Sequence, residues 1–206
     1  MSIEVKAAVC GDIQENAWII QAEGRDDCVI VDPGDEYPKL KRAIGNRRLA
    51  AILLTHGHFD HIMAVSELAA ATGAPVYIHP EDMELLNDPA LNGLRNLMGA
   101  SAMPGPDIRA VPFDEGFSAA GLDFAILHTP GHTKGSCCLY LPGESALFSG
   151  DTLFMAGFGR MDLYGGSQLK MRESLRRLFA LPADVRVYPG HGPETTIGAE
   201  KARYML

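Results

Sequence analysis

Short apolar runs separated by turn residues recur along this chain and predict a series of β-strands. Three such runs lie at residues 3–9, 17–21 and 28–31, and an Asp-Pro-Gly turn at residues 32–34 ends the third. The same pattern predicts strands at residues 49–55, 76–79, 122–128, 136–141, 146–149 and 185–188. Strands are therefore expected in both halves of the chain.

Helical spacing follows several of these strands. Apolar residues at 62, 65, 68, 69 and 72 predict a helix over residues 61–72, with Asp60 as its cap and Gly73 as its end. Further helices are predicted at residues 37–44, ended by Gly45, at 81–86, at 167–180, capped by Ser167, and at 196–203. Residues 88–107, rich in Asn, Gly, Pro and Met, predict a mobile loop or short helix that serves as a lid. The expected fold class is α/β, a two-layer sheet core with helices outside.

The length and net charge of the chain limit the number of domains and the kinds of partner that are expected. Its 206 residues predict a single domain over residues 1–206. With 18 basic and 26 acidic residues the net charge is −8, which disfavours nucleic acid and anionic membranes as partners. No apolar run approaches a membrane span, and residues 1–6 lack the pattern of a signal peptide, so a cytoplasmic location is expected. Oligomeric state is left open by the sequence.

Four cysteines, Cys10, Cys28, Cys137 and Cys138, show no CxxC spacing. In a reducing compartment they are expected to be small buried side chains rather than disulfides.

The most informative segment is Thr55-His56-Gly57-His58-Phe59-Asp60-His61, which follows an apolar strand. On a helix the three histidines would spread around the axis, and on a strand His61 would face away from the other two. A turn at the strand end, with Gly57 supplying backbone freedom, lets all four polar side chains surround a small volume. Imidazole and carboxylate groups are ligands for zinc, iron and similar metals.

Three more candidate ligands, each flanked by Gly or Pro after an apolar strand, are His132, Asp151 and His191. Loops that leave one edge of a sheet can bring such residues into one cleft. Seven ligands are too many for one tetrahedral zinc. They suit two metal ions that share a carboxylate and a water molecule.

The motifs His-x-His-x-Asp-His, Gly-His-Thr, Gly-Asp-Thr and Gly-His-Gly, in this order and spacing, resemble those of the metallo-β-lactamase superfamily. Residues 150–154 and 159–162 are similar to its glyoxalase II-like branch, the hydroxyacylglutathione hydrolases and their short bacterial relatives. The resemblance implies an αββα sandwich, in which two mixed sheets pack face to face with helices outside. It implies a first metal site of His56, His58 and His132, a second of Asp60, His61 and His191, and Asp151 as the bridge.

The resemblance also implies a reaction. Two divalent metal ions, Zn²⁺ in the first place with Fe or Mn as alternatives, would hold a bridging hydroxide that attacks a thioester such as S-lactoylglutathione. Asp60 would orient that hydroxide, and no side-chain nucleophile is needed. Many β-lactamases carry Cys or Ser at the position of Asp151, and this difference disfavours a β-lactam as the substrate.

Other functions of the same fold provide alternatives. A persulfide dioxygenase would use one iron held by His58 or His56 with His132 and Asp151, but the intact second site favours hydrolysis. A nuclease is disfavoured by the net charge of −8. A catalytically silent scaffold is disfavoured by the complete ligand set.

Further residues have weaker assignments. Asp32 is expected either as a turn residue or in contact with the metal ligands. His128 is expected to contact a ligand or to pack, and His79 to be structural. Arg160 and Asp162 are predicted to form an ion pair that shapes the loop after Asp151.

The substrate side of the site is predicted more coarsely. The residues expected to line the substrate cleft are Lys134, Phe158 and Tyr164, with a solvated loop charge as the equal alternative for Lys134. The chain ends 15 residues after His191, so the helical C-terminal domain with which glyoxalase II contacts glutathione is expected to be absent.

Overall fold

Two six-stranded mixed sheets form the centre of the fold. The computed structural model describes residues 2–98, 107–114 and 116–204. The first sheet contains, in spatial order, β1 (Ile3–Cys10), β2 (Glu15–Ala22), β3 (Asp27–Val31), β4 (Arg48–Leu53), β5 (Val76–Ile78) and β6 (Ala110–Pro112). The second contains, from one edge to the other, β7 (Gly116–Ala119), β8 (Leu122–His128), β9 (Cys137–Leu141), β10 (Ala146–Gly150), β11 (Arg186–Pro189) and β12 (Thr195–Thr196).

Helices cover the outer faces of both sheets. These are α1 (Tyr37–Ile44) and α2 (Val65–Thr72) on the first sheet, and α4 (Gln168–Leu178) and α5 (Ile197–Tyr204) on the second. The short helix α3 (Leu94–Met98) lies instead beside the edge where the functional loops meet. On α4 the buried residues Met171, Leu175 and Leu178 recur at helical spacing and face the second sheet. On α1, Leu40 and Ile44 do the same for the first sheet.

Successive side chains on the central strands point alternately to the core between the two sheets and to the core under the helices. In β4, Ala51 and Leu53 face the second sheet, whereas Ile52 faces the helices of the first. On β9, Cys137 lies between the sheets and its neighbour Cys138 faces the helices. The predicted αββα sandwich, with two mixed sheets and helices outside, is confirmed.

The segment around Asp60 differs from the prediction. Helix α2 begins at Val65, and Phe59–His61 forms a separate 3₁₀ turn, so Asp60 does not cap a helix. The physical reason is the Asp-Pro-Gly turn, where the carbonyls of Pro33 and Gly34 accept hydrogen bonds from Ala64 and Met63. These bonds hold the chain away from α-helical geometry and leave the Asp60 carboxylate available for the site.

Other differences concern short elements. The predicted helix at 81–86 is a 3₁₀ turn, Pro80–Leu85. Within the predicted lid, α3 forms at Leu94–Met98, and residues 99–106 lie outside the described part of the chain. Strands β6, β7 and β12, of two to four residues each, carry too little apolar pattern to be predicted.

Strand directions bring the functional loops to one edge. Strands β3 and β4 run parallel, as do β10 and β11, and β8 runs in the direction of β10 because both are antiparallel to β9. Main-chain hydrogen bonds join the two sheets there, from Cys137 N to Thr55 O (2.9 Å) and from Asn16 N to Gly190 O (2.8 Å). Loops from both sheets therefore meet at this edge.

The four cysteines are buried free thiols, as expected. The longest α-helix in the described residues has 11 residues, and none of the described helices has the length and apolarity needed to cross a membrane.

Replacing Leu53 by Ala is expected to lower the free energy of unfolding by about 2–5 kcal/mol, because Leu53 is fully buried between the sheets and would leave a cavity. The matched control is Leu169→Ala on the exposed face of α4, where Leu169 is 68% exposed and the change should stay within about 0.5 kcal/mol. Urea unfolding followed by circular dichroism measures both, and equal effects would contradict the two-sheet core.

Candidate metal centre

The strand-end segment after β4 supplies one group of buried imidazoles. His56 and His58 follow β4, and His132 comes from the loop between β8 and β9. Their ligand atoms lie within 4.8 Å of one another, and His58 Nδ1 is 2.8 Å from His132 Nε2. We call His56, His58 and His132 the first group.

A second group lies beside the first. It consists of Asp60, His61 and His191, whose ligand atoms also lie within 4.8 Å of one another. His191 Nε2 is 3.3 Å from Asp60 Oδ2, and His61 Nε2 is 3.8 Å from the same oxygen. Asp60 and His61 follow β4 of the first sheet, whereas His191 follows β11 of the second.

Asp151 lies between the two groups. Its Oδ1 is 3.4 Å from His61 Nε2 and 3.7 Å from His191 Nε2, and its Oδ2 is 3.4 Å from His132 Nε2. Each carboxylate oxygen thus faces a different group. This is the arrangement expected of a carboxylate shared by two cations.

Several of these atoms lack a hydrogen-bond partner in the described chain. His56 Nε2, His61 Nε2 and Asp151 Oδ1 are buried and unpartnered. Buried polar atoms are nearly always satisfied in native proteins, so such a concentration requires an explanation. Imidazole nitrogens and carboxylate oxygens together suit a divalent metal, and the residues fit such an ion.

The protonation of the histidines agrees with this donor set. Burial lowers the pKa of His58 to about 3, and His132 adds to the effect. Burial also lowers the pKa of His56 well below its usual range, with His61 as the next cause. Neutral rings keep a nitrogen lone pair for a ligand bond.

In the second group the pKa of a histidine shifts in the opposite direction. Burial alone would lower the pKa of His61, but Asp151 and Asp60 outweigh it and raise that pKa well above its ordinary value. Burial would raise the pKa of the Asp151 carboxyl, but His61 and the other nearby imidazoles lower it instead. Both directions show that the carboxylates here favour a positive charge between them.

Asp32 supports the site from behind. Its carboxylate accepts hydrogen bonds from Thr55 N (2.7 Å) and Thr55 Oγ1 (2.6 Å), and its Oδ2 is 3.0 Å from His61 Nδ1. Although Asp32, His56 and His61 could also surround an ion, these contacts already use the Asp32 carboxylate. A proton on His61 Nδ1 leaves Nε2 as the atom that faces Asp60 and Asp151.

The loop after Asp151 supports His132 through its backbone. His132 Nδ1 is 2.7 Å from the carbonyl of Arg160, so this ring nitrogen donates to the main chain. The side chain of Arg160 instead pairs with Asp162 in two bonds of 2.7 and 2.8 Å, the ion pair that the sequence predicts. The loop can lie this close to His132 because residue 159 is a glycine: a Cβ there would lie 2.1 Å from Asp151 O and 2.8 Å from His132 Nδ1.

His128 and His79 lie next to each other, with stacked rings whose centroids are 4.0 Å apart. His128 Nε2 donates to the carbonyl of Lys134 at 2.9 Å. His128 therefore braces the loop that carries His132 and contacts none of the candidate ligands in these interactions.

A cavity of about 480 Å³ opens over the two groups. Its lining residues are Ile13, His58, Phe59, Asp60, Asn92, Gly93, Asn96, His132, Asp151, Arg160, Leu163 and His191. Lys134, Phe158 and Tyr164 are not among them. Lys134 Nζ contacts Glu84 Oε1 and Tyr164 Oη, both at 2.8 Å, and the Phe158 ring lies 6.0 Å from that of Tyr204. Contact of these three with substrate stays a prediction.

Sequence reasoning missed three buried polar residues near the site, Glu15, Asn16 and Asp82. Burial raises the pKa of Glu15 well above its ordinary value, and its Oε1 lies 3.9 Å from His61 Nδ1. The only signal for Glu15 and Asn16 in the sequence is polarity at the start of an otherwise apolar strand. Asp82 stands beside Glu81 in a polar turn, and nothing in the spacing distinguishes the two.

An αββα sandwich that gathers five histidines and two aspartates from both sheets at one edge defines a metal-binding protein of the metallo-β-lactamase fold. The chain belongs to the metallo-beta-lactamase superfamily, whose family model matches residues 10–191.

Curated relatives agree with the glyoxalase II-like branch. The probable metallo-hydrolase YqgX of Bacillus subtilis is 38% identical over 194 residues, which cover 93% of this chain and 91% of that protein. The hydroxyacylglutathione hydrolase of Pseudomonas aeruginosa is 39% identical over 177 residues, covering 84% of this chain and 60% of that enzyme. The chain thus matches somewhat more than half of the latter.

Solved structures extend the comparison. BLEG-1 B3 metallo-beta-lactamase has a TM-score of 0.87 at 38% identity, with 97% of each chain covered. TTHA1623 in a di-iron-bound form has a TM-score of 0.84 at 40% identity, covering 97% of this chain and 98% of that one. ETHE1 from Myxococcus xanthus has a TM-score of 0.74 at 27% identity, covering 96% of this chain and 81% of that one.

Replacing Asp32 by Asn is expected to lower metal affinity at the second group about 10–100-fold. The amide nitrogen can donate to His61 Nδ1, which moves the ring proton to Nε2 and removes the lone pair that a metal needs. Competition with a chelator measures the affinity. The matched control is Asp123→Asn, an exposed carboxylate on β8 that accepts a hydrogen bond from Ser118, and equal losses in both variants would contradict the assignment.

Proposed function

We propose that this protein is a hydrolase that cleaves thioesters, such as S-lactoylglutathione, with two divalent metal ions, Zn²⁺ in the first place and Fe or Mn as alternatives. We place it in a reducing compartment such as the cytoplasm, where its four buried thiols stay free. Neither a nucleic acid nor a membrane is required as a partner.

The observation that carries the proposal is the position of Asp151, with one oxygen toward each group. A complete second group beside the first supports two ions rather than one. The Pseudomonas aeruginosa relative, named hydroxyacylglutathione hydrolase, supports a thioester as the substrate.

When bound, two such ions would lower the pKa of a water molecule and polarise the carbonyl of the thioester. The side chains of the chain have separate tasks. Asp60 is held by His61 and His191, and these contacts lower the pKa of its carboxyl against the effect of burial. The ionised Asp60 accepts a hydrogen bond from the attacking water and orients it toward the substrate.

The walls of the cavity provide the surface that would bind the substrate. Ile13, Phe59 and Leu163 give apolar surface on which the substrate packs. Addition of water to the carbonyl and loss of the thiolate yield an acid and a thiol. Because a thiolate leaves readily, no dedicated general acid is assigned.

A mononuclear iron persulfide dioxygenase is the second candidate, and the similarity to ETHE1 from Myxococcus xanthus favours it. It would need His58 or His56, His132 and Asp151, and would give Asp60, His61 and His191 no task as ligands. The similarity to BLEG-1 makes a β-lactam a necessary comparison substrate.

The test combines metal quantification with hydrolysis of S-lactoylglutathione. We expect two metal ions per chain and turnover that falls at least about 100-fold, about 2.7 kcal/mol, in Asp151→Asn, because the amide cannot serve both groups as an anion. Asp123→Asn, on the exposed side of β8, should leave turnover unchanged.

Two outcomes would contradict the proposal. One iron per chain with oxygen uptake on glutathione persulfide would replace it by the dioxygenase. Preferential opening of a β-lactam over cleavage of any thioester would replace the substrate class.

A further inference from the structure

Asp82 is a fully buried carboxylate in the 3₁₀ turn Pro80–Leu85, outside the set of candidate metal ligands. Its Oδ2 accepts hydrogen bonds from Gly57 N (3.0 Å) and Thr133 Oγ1 (2.7 Å). Its Oδ1 accepts one from Gly135 N (2.6 Å). One side chain therefore binds two loops that are distant in sequence.

These partners surround the first group. Gly57 stands between His56 and His58, and Thr133 directly follows His132. The first loop follows β4 of one sheet, and the second connects β8 to β9 of the other. Asp82 thus joins the backbones that carry all three imidazoles.

The two glycines are explained by the same contact. A Cβ at Gly57 would lie 2.7 Å from Leu85 Cβ, and a Cβ at Gly135 would lie 2.6 Å from Asp82 N. Gly57 has no positive φ, so close approach of the Pro80–Leu85 turn, rather than the backbone freedom expected from the sequence, accounts for it. The turn therefore packs directly against both loops.

Asn16 makes a comparable connection at the second group. Its Nδ2 donates to Pro189 O (3.0 Å) and Gly192 O (2.8 Å), the carbonyls on either side of His191. Its backbone N–H donates to Gly190 O at 2.8 Å. The start of β2 in the first sheet therefore holds the His191 loop of the second.

We propose that Asp82 and Asn16 are positioning residues, and that each sets the metal affinity of a different group: Asp82 that of the first group and Asn16 that of the second. The inference rests on the proposed two-metal function. Groups behind metal ligands tune affinity by fixing ligand orientation, and here the contact is with the ligand loops rather than with the rings.

A carboxylate is required at position 82. Two backbone N–H groups point at different oxygens, and an amide could accept from only one of them while facing the other with its own N–H. At position 16 the requirement is reversed, because two carbonyl oxygens need donors that a carboxylate lacks. Asp82→Asn and Asn16→Asp are therefore matched, nearly isosteric exchanges.

The experiment measures metal occupancy in each group separately. Crystals of the full chain and both variants are equilibrated with limiting Zn²⁺, and anomalous scattering gives the occupancy at each position. Chelator competition in solution gives the two stepwise affinities. We expect Asp82→Asn to weaken the first group at least about tenfold and Asn16→Asp to weaken the second by a similar factor, with the other group within about twofold in each.

Hydrogen exchange of the metal-free protein provides a second readout. In Asp82→Asn, the amide of Gly57 or Gly135 should exchange faster than in the parent chain, because one of them loses its acceptor. Amides of Gly190 and Gly192 should keep their rates.

If Asp82→Asn does not fold, two less disruptive variants at Thr133 test the role of Asp82. Thr133→Val removes one bond to Asp82, and Thr133→Ser retains the hydroxyl. The valine variant should weaken the first group and the serine variant should restore it.

The outcomes separate the two proposals. If the parent chain binds fewer than two divalent ions when offered Zn²⁺, Fe²⁺ or Mn²⁺, the proposed function fails. If it binds two, but Asp82→Asn and Asn16→Asp weaken both groups equally or neither at all, the function stands and the positioning roles are wrong.

Discussion

The structure depends on holding imidazoles and carboxylates together, out of water, where two sheets meet. Desolvating such groups costs several kcal/mol each unless partners compensate. Asp151 partly compensates three of the imidazoles, because one of its oxygens faces His61 and His191 and the other faces His132. Asp32 contacts His61 from behind, and both Asp32 and Asp82 accept hydrogen bonds from backbone N–H groups of the ligand loops and so hold those loops in place. The neighbouring turns, strand ends and small residues serve to keep these few contacts in place.

Tight backbone packing gives the centre little freedom to rearrange. A Cβ at Gly190 would lie 2.4 Å from Asp151 Oδ1 and 2.7 Å from His61 Cε1. A Cβ at Gly150 would lie 2.2 Å from Thr55 Oγ1, next to the Asp32 contact. Glycine is needed at these two positions for space, so the geometry is set by the fold before any ligand arrives. Such preorganisation is what a hydrolytic metal centre requires.

The layered fold and the candidate ligands follow from local pattern, because strand periodicity and the placement of His and Asp after strands are properties of short segments. Contacts between residues that are distant in sequence cannot be predicted in this way. Asp82 and Thr133 are 51 positions apart, and Asn16 and Pro189 are 173 positions apart, so no spacing rule connects them. The predicted start of α2 is wrong for the same reason, since hydrogen bonds to the distant carbonyls of Pro33 and Gly34 determine where the helix begins.

The division of ligands between the sheets has a thermodynamic consequence. Loops of the first sheet carry His56, His58, Asp60 and His61, whereas loops of the second carry His132, Asp151 and His191. Neither half of the chain holds a complete first or second group. An ion held in either group would therefore cross-link the two halves, and its binding energy would contribute to their association. Binding of such an ion and closing of the sandwich would be linked equilibria, so each would favour the other.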